Sequence, residues 1–206
     1  MLITIIGPDG CGKTTIANEL VIKLNQKKIN ATHSAMHFEI LPPLKNFINP
    51  FLKNKIDRSH EEGALHVGMT KPNSVIKSLV YVIWYAFDYF LGSFKVLKSK
   101  RNKEVLIFAR YYYDYYYQLG HLNTPKWIIK VFENFVPKPN FIFTILRSAE
   151  DIYKIKPELT VKEIERQQNE ISKNFKNRRN AHIIDGQNGV EHTTNQILEI
   201  IGNCYA

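Results

Sequence analysis

Cysteine is scarce in this chain: 206 residues hold only Cys11 and Cys204. Two cysteines cannot build the disulfide framework of a small secreted domain, and a bridge to Cys11 would tether the glycine-rich loop that contains it. Free thiols and a reducing, cytoplasmic compartment are therefore expected. A secretory leader is not expected either. The opening Met-Leu-Ile-Thr-Ile-Ile has no basic n-region and no cleavage site and reads as a strand. No repeat or low-complexity run is present, which excludes solenoids and disordered arrays. A bilayer-length apolar stretch is missing as well. Leu79 to Leu91 comes nearest, but it is too short to span and Asp88 interrupts it, so no membrane span is expected. Acidic residues are outnumbered, 19 against 28 basic, leaving a formal charge of +9. That balance fits a polyanionic ligand such as a nucleotide, a nucleic-acid or membrane-surface partner, or merely spare surface lysines. No nucleic-acid motif accompanies the charge, and no nucleic-acid partner is expected. The densest basic run, Lys98-Ser-Lys-Arg-Asn-Lys103, reads as a solvated turn.

What is present is an alternation of strands and helices. Leu2–Ile6 is a continuous apolar run suited to a strand buried on both faces. Ile16, Leu20, Val21 and Leu24 give residues 14 to 24 helical spacing. Further strands are expected over 31–38, 105–109, 141–146 and 182–185. Helices are expected over 73–100 (with Gly92 as a candidate bend), 127–135, 148–154 and around 197–201. Thr160 is the N-cap of another, with Glu163 at the capping-box position. Prolines at 42, 43, 50 and 72 make residues 39–72 loops with short helices. This order predicts an α/β fold of three layers, with a parallel sheet of about five strands covered by helices on both faces. No linker is visible, so residues 1–206 read as a single domain.

Between the first strand and helix lies Gly7-Pro-Asp-Gly-Cys-Gly-Lys13-Thr14, with the spacing G-x-x-x-x-G-K-T. Strand, loop and helix are the context this phosphate loop requires. Backbone N–H groups of Gly7, Gly10, Cys11, Gly12 and Thr15 and the positive end of the helix would cradle phosphate. Lys13 would bridge β- and γ-phosphate charge, and Thr14 would offer its hydroxyl to magnesium. ATP with Mg2+ is the expected cofactor. Asp9 is an unusual charge for such a cradle. Either it turns away toward the acceptor or it is an ordinary turn residue.

The loop Gly7–Thr15, aspartate included, resembles that of the thymidylate kinase family. Arg110-Tyr-Tyr-Tyr-Asp114, directly after an apolar strand, resembles that family's Asp-Arg-Tyr motif. Lys156-Pro-Glu-Leu-Thr160 with Glu163-Ile-Glu-Arg-Gln167 is similar to its lid, placed here at about 147–160. Leu41-Pro-Pro-Leu44, Asp88-Tyr-Phe-Leu-Gly92 and Val136-Pro-Lys-Pro139 resemble a divergent branch met among bacterial surface-polysaccharide genes. The resemblance implies a phosphate-loop kinase fold and transfer of the γ-phosphoryl group of ATP to a small acceptor. It also implies a lid cation, to be supplied by Lys154, Lys156 or Arg147, and a homodimer through helix 73–100. Three positions depart from the family. Ala109 stands where the family has an aspartate that helps hold magnesium. This leaves open weak catalysis, a natural variant, an inactivated sequence, or a nucleotide-binding protein without turnover. Ile155 replaces a frequent lid arginine. His37-Phe-Glu-Ile-Leu-Pro-Pro43 replaces the Arg-Glu-Pro-Gly segment of ordinary thymidylate kinases.

The acceptor is therefore open between a nucleoside monophosphate such as thymidylate and a sugar or glycan hydroxyl. A phosphate acceptor needs no base, whereas a hydroxyl benefits from a nearby carboxylate. Asp9, Glu39 and Asp114 are the candidates, with Asp88 a fourth. Arg110 would clamp phosphate oxygens. Tyr111–Tyr113 and Tyr115–Tyr117 serve either packing or stacking on an acceptor ring. His33 and His37 lack partners for a metal site.

Overall fold

The structure is a computed structural model that describes residues 1–34, 37–44 and 74–203. Cys204 and the short helices expected within 45–72 lie outside the described residues. Five strands form one all-parallel sheet in the order β2-β3-β1-β4-β5. They are β1 (Leu2–Ile6), β2 (Ala31–Ser34), β3 (Val105–Phe108), β4 (Phe141–Leu146) and β5 (Ala181–Asp185). The central strand pairs through Leu2 with Leu106 and through Ile3 with Phe141, and all five of its residues are buried. An unbroken apolar run is what a strand covered on both faces demands.

Side-chain alternation sorts the core into two layers. Ile3, Ile5, Ile107, Phe143 and Ile145 meet Ile16, Leu20 and Leu24 of α1 (Lys13–Gln26) and Ile197 of the closing α6 (Gly189–Asn203). Leu2, Ile6, Phe108 and Ile142 face the other way. They meet Val82, Tyr89 and Val96 of α2 (Val75–Arg101), Ile129 of α3 (Lys126–Glu133), and Ile171 and Phe175 of α5 (Val161–Phe175). The short α4 (Ala149–Ile155) lies between β4 and α5. Thus the three layers expected from the sequence are present.

Some boundaries differ from expectation. The second strand covers Ala31–Ser34, and Phe38, expected within it, is not part of the ladder. Its N–H instead donates to Asp88 Oδ2 at 2.9 Å. At Gly92, the candidate bend, α2 is not interrupted: it runs continuously for 27 residues. A β-carbon at 92 would lie 2.2 Å from the Phe38 ring, so the glycine is a seat for that ring. The capping box is half formed. Thr160 Oγ1 accepts from Glu163 N at 3.2 Å, while the Glu163 carboxylate turns to Arg166 and Gln167. By length and composition α2 is apolar enough to cross a membrane. It is nevertheless packed into the second layer through Val82, Ala86, Tyr89 and Val96 and carries the buried, hydrogen-bonded Asp88.

Candidate functional site

The chain leaves β1 for the sheet edge at β2, returns to β3, then crosses β1 to β4. The order therefore reverses around β1, and in open α/β sheets ligands bind beyond the carboxyl ends of strands at that point. The glycine loop occupies this position. Gly10 and Gly12 have φ of +95° and +98°, a left-handed region unfavourable to side chains. Gly10 is also crowded, since a β-carbon there would sit 3.1 Å from both Ile152 and Lys156. The C-terminal half of α4 and its cap residue Lys156 are thereby closed onto the loop. Gly12 caps α1 without a side-chain hydrogen bond, and no acid occupies the first turn. Thr14 and Thr15 are exposed there. A helix N-terminus with its N–H groups uncapped and no competing carboxylate suits an anion.

Lys13 is buried under the loop. Its ammonium donates to the carbonyls of Gly7 at 2.7 Å and Pro8 at 2.9 Å, and to Asp9 Oδ1 at 3.3 Å. Asp9 Oδ1 also accepts from Arg110 Nη2 at 2.8 Å. Burial opposes ionisation of Asp9, but the Lys13 and Arg110 cations outweigh it and hold the carboxyl below its ordinary range. One Asp9 oxygen is thus shared between Lys13 and Arg110, just past the end of β3.

Asp114 closes the group. It sits in a 3-10 turn (Tyr112–Tyr116) and is 7% exposed. It accepts from the Tyr117 hydroxyl through a short hydrogen bond and from Gln118 Nε2 at 3.1 Å. Tyr117 in turn accepts from the Gly7 N–H at 3.3 Å, which ties Asp114 to the start of the loop. Burial pushes the Asp114 carboxyl up to about 6, against the pull of Lys13, Tyr117 and Arg110. Tyr117 and Gln118 were not distinguished by sequence reading. Their role depends on a turn that brings them back under Asp114, and the only signal was their position within four residues of it.

Beside Asp114 and Arg110 opens a cavity of about 170 Å3, walled by Tyr81, Tyr85, Tyr89, Tyr111, Tyr115, His37 and His121. It shares His37, Tyr81 and Tyr85 with an outer cleft of about 710 Å3 that includes Glu39 and Pro42. The structure therefore brings together Asp9, Lys13, Arg110 and Asp114 but leaves Glu39 exposed at the outer mouth. Asp88, the fourth carboxylate, is withdrawn altogether. It accepts the N–H groups of Phe38, Ile40 and Leu41 at 2.9, 2.8 and 2.8 Å and so anchors the segment carrying Glu39, which has φ of +55°.

On the lid side, Lys156 is close enough to Asp9 to lower its carboxyl, but is paired with Glu158 at 3.0 Å. Arg147, at the end of β4, keeps a buried Nε without a partner. Ile155 is exposed. Ala109 is fully buried, and its N–H donates to Ser34 O at 3.2 Å. Cys11 is buried, and desolvation raises its thiol, which makes it unreactive. Of the tyrosines, 112, 113, 116 and 117 are packed inside, while 111 and 115 reach the cavity. His37 packs against Tyr85 with ring centroids 4.2 Å apart and planes tilted at 44°. Among the described residues no three histidine, cysteine or acidic side chains are grouped as a metal site. Compared with protein-family models and with curated proteins, the chain matches none.

Proposed function

We infer that the chain is an ATP-dependent phosphotransferase that resembles thymidylate kinase and moves the γ-phosphoryl group of Mg-ATP to a small acceptor. The observation that carries this reading is the convergence of Lys13, Asp9, Arg110 and Asp114 at the sheet's reversal point, under an uncapped helix N-terminus. The phosphates would lie against the N–H groups of residues 10 to 15. Magnesium would be carried by the nucleotide and the Thr14 hydroxyl. Lys13 would exchange its carbonyl contacts for the β- and γ-phosphates. Arg110 would stabilise charge on the migrating group, with Lys156 and Arg147 on the lid side. ATP is present in the cytoplasm, where this reading places the protein.

Calorimetric titration with Mg-ATP tests the donor side. Micromolar-range binding is expected, lost at least about 100-fold in Lys13→Ala, as the loss of a charged phosphate contact implies. Absence of ATP binding by the unaltered chain would overturn the reading. GTP belongs in the same titration. Asn54-Lys-Ile-Asp57 has the Asn-Lys-x-Asp spacing of a guanine-reading segment and lies outside the described residues. The preference for ATP therefore rests on the kinase resemblance.

Ala109 supports a second reading, a nucleotide-binding protein without turnover. Its methyl group occupies a buried position beside the loop, where the family's aspartate would stand. ATP binding with no product from any acceptor, even in Ala109→Asp, would favour it.

A further inference from the structure

We propose that the acceptor is an uncharged ring compound bearing a hydroxyl group, a sugar or a nucleoside, and that Asp114 is the catalytic base that takes the hydroxyl proton. This rests on the phosphotransferase reading and narrows its acceptor.

Charge is the first observation. A phosphate monoester brings close to two negative charges and needs unmatched cations. Among the described residues the cavity wall offers one cation, Arg110, and Asp9 already faces it at 2.8 Å. Lys13, which donates hydrogen bonds to Gly7, Pro8 and Asp9, is committed to the donor phosphates in this reading. Burial disfavours the charged form of both wall histidines, lowering His37 and taking His121 down to about 4. Asp114 itself would repel an acceptor phosphate.

The second observation is where Asp114 lies. Tyr117 bridges it to Gly7, so this carboxyl stands between the phosphate loop and the aromatic cavity, where the acceptor atom must meet the γ-phosphorus. Its two oxygens accept one hydrogen bond each from Tyr117 and Gln118, which leaves lone pairs for an acceptor hydroxyl. A buried base held near neutrality is of use to a hydroxyl and of none to an anionic phosphate. The groups facing Asp114 are Lys13, Asp9, Arg110, Tyr117, Tyr89, Tyr115 and Cys11.

The third is the wall. Tyr81 and Tyr85, one turn apart on α2, have ring centroids 6.0 Å apart and planes at 29°. Such ring faces accept the apolar face of a sugar or a base without any demand for charge.

In the step, the acceptor oxygen attacks the γ-phosphorus while its proton passes to Asp114. The bond from the γ-phosphorus to the β,γ-bridging oxygen breaks, and ADP leaves with that electron pair. Asp114 then releases the proton to solvent.

The test compares neutral compounds with their phosphates on the whole chain. ATP binding is measured first, so that failure of the donor reading is seen separately. With a non-hydrolysable ATP analogue and magnesium present, saturation-transfer NMR is run on uncharged pyranosides, nucleosides, thymidylate and sugar phosphates. At least one neutral compound is expected to bind about tenfold better than its own phosphate, with the signal lost in Tyr85→Ala. The glycoside and nucleoside arms tell the two sources apart. Preference for the phosphates, or no neutral ligand at all, overturns the proposal. Product formation followed by phosphorus NMR should fall about 100-fold or more in Asp114→Asn with ATP binding retained. The rate should rise with pH to a plateau above about 6, the value toward which burial carries this carboxyl. An unchanged rate in Asp114→Asn overturns the role of the base.

Discussion

At the scale of single residues, Asp114 shows how a site and a stability cost coincide. Desolvation raises its carboxyl from 3.8 to about 6, so the folded protein binds this proton more tightly than the unfolded chain. The contribution is fully present below the unfolded value and is lost as pH rises through about 6. The sign is the reverse of that for a salt-bridged carboxylate such as Asp9, whose contribution is lost on acidification. Asp114→Asn removes the charge and keeps the shape. Its stability relative to the unaltered chain, followed by urea unfolding, should therefore improve by on the order of 2 kcal/mol between about pH 4 and pH 7. A pH-independent difference would show that the carboxyl is not ionised against a burial penalty. Asp9, Arg110 and Asp114 were legible in the sequence because they sit in short motifs next to strand ends. Asp88 and Glu39 were not separable from them. One is a buried anchor and the other an exposed rim residue, and only the partners supplied by another element distinguish the two.

At the scale of elements, the sheet was legible because each strand is a short apolar run between polar turns. The second strand was overextended for a physical reason. Phe38 is as apolar as a strand residue, but its burial is against α2 rather than within the ladder. Asp88 and Gly92, one turn apart on α2, make that docking. The first takes three N–H groups of the segment, and the second leaves room for the ring. Asp88→Ala would strand three donors and should cost about 3 kcal/mol or more, since bonds to a charged acceptor are individually worth about 1.5–3. Gly92→Ala keeps those bonds but drives a methyl into the Phe38 ring at 2.2 Å. Overpacking of this kind costs about 1–3 kcal/mol. Both should lower Tm. Gly92→Ala combined with Phe38→Ala, which vacates the contested space, should behave as non-additive, with the second change costing less in the presence of the first. Additive losses would show that ring and glycine are not in contact.

At the scale of the whole molecule, one face of α2 is apolar and exposed among the described residues. Ile76, Val80, Ile83, Phe87, Phe90, Phe94 and Leu97 are between 42% and 76% exposed, while Val82, Ala86, Tyr89 and Val96 on the opposite face are buried in the second layer. The exposed residues are spaced alternately four and three apart, the 3.5-residue repeat that keeps a seam facing a partner helix. Over this length the seam runs about 32 Å at 1.5 Å per residue. A stable interface buries roughly 800 Å2 per partner, and these seven large side chains, three of them phenylalanines, would form its apolar centre. The homodimer that the family resemblance implies would use this seam, antiparallel about Phe87 and Phe90, whose rings already stack at 6.3 Å. Light scattering on the purified chain should then give twice the 24.0 kDa chain mass at micromolar concentration. Phe87→Glu with Phe94→Glu should yield monomer, weakening association about 100-fold or more as central aromatic anchors do. Both positions lie on the side of α2 away from the sheet, so helical content and ATP binding should be retained. A monomeric mass for the unaltered chain at high concentration would rule out this seam as an interface between copies, and aggregation of the double variant would show that the glutamates act on folding instead.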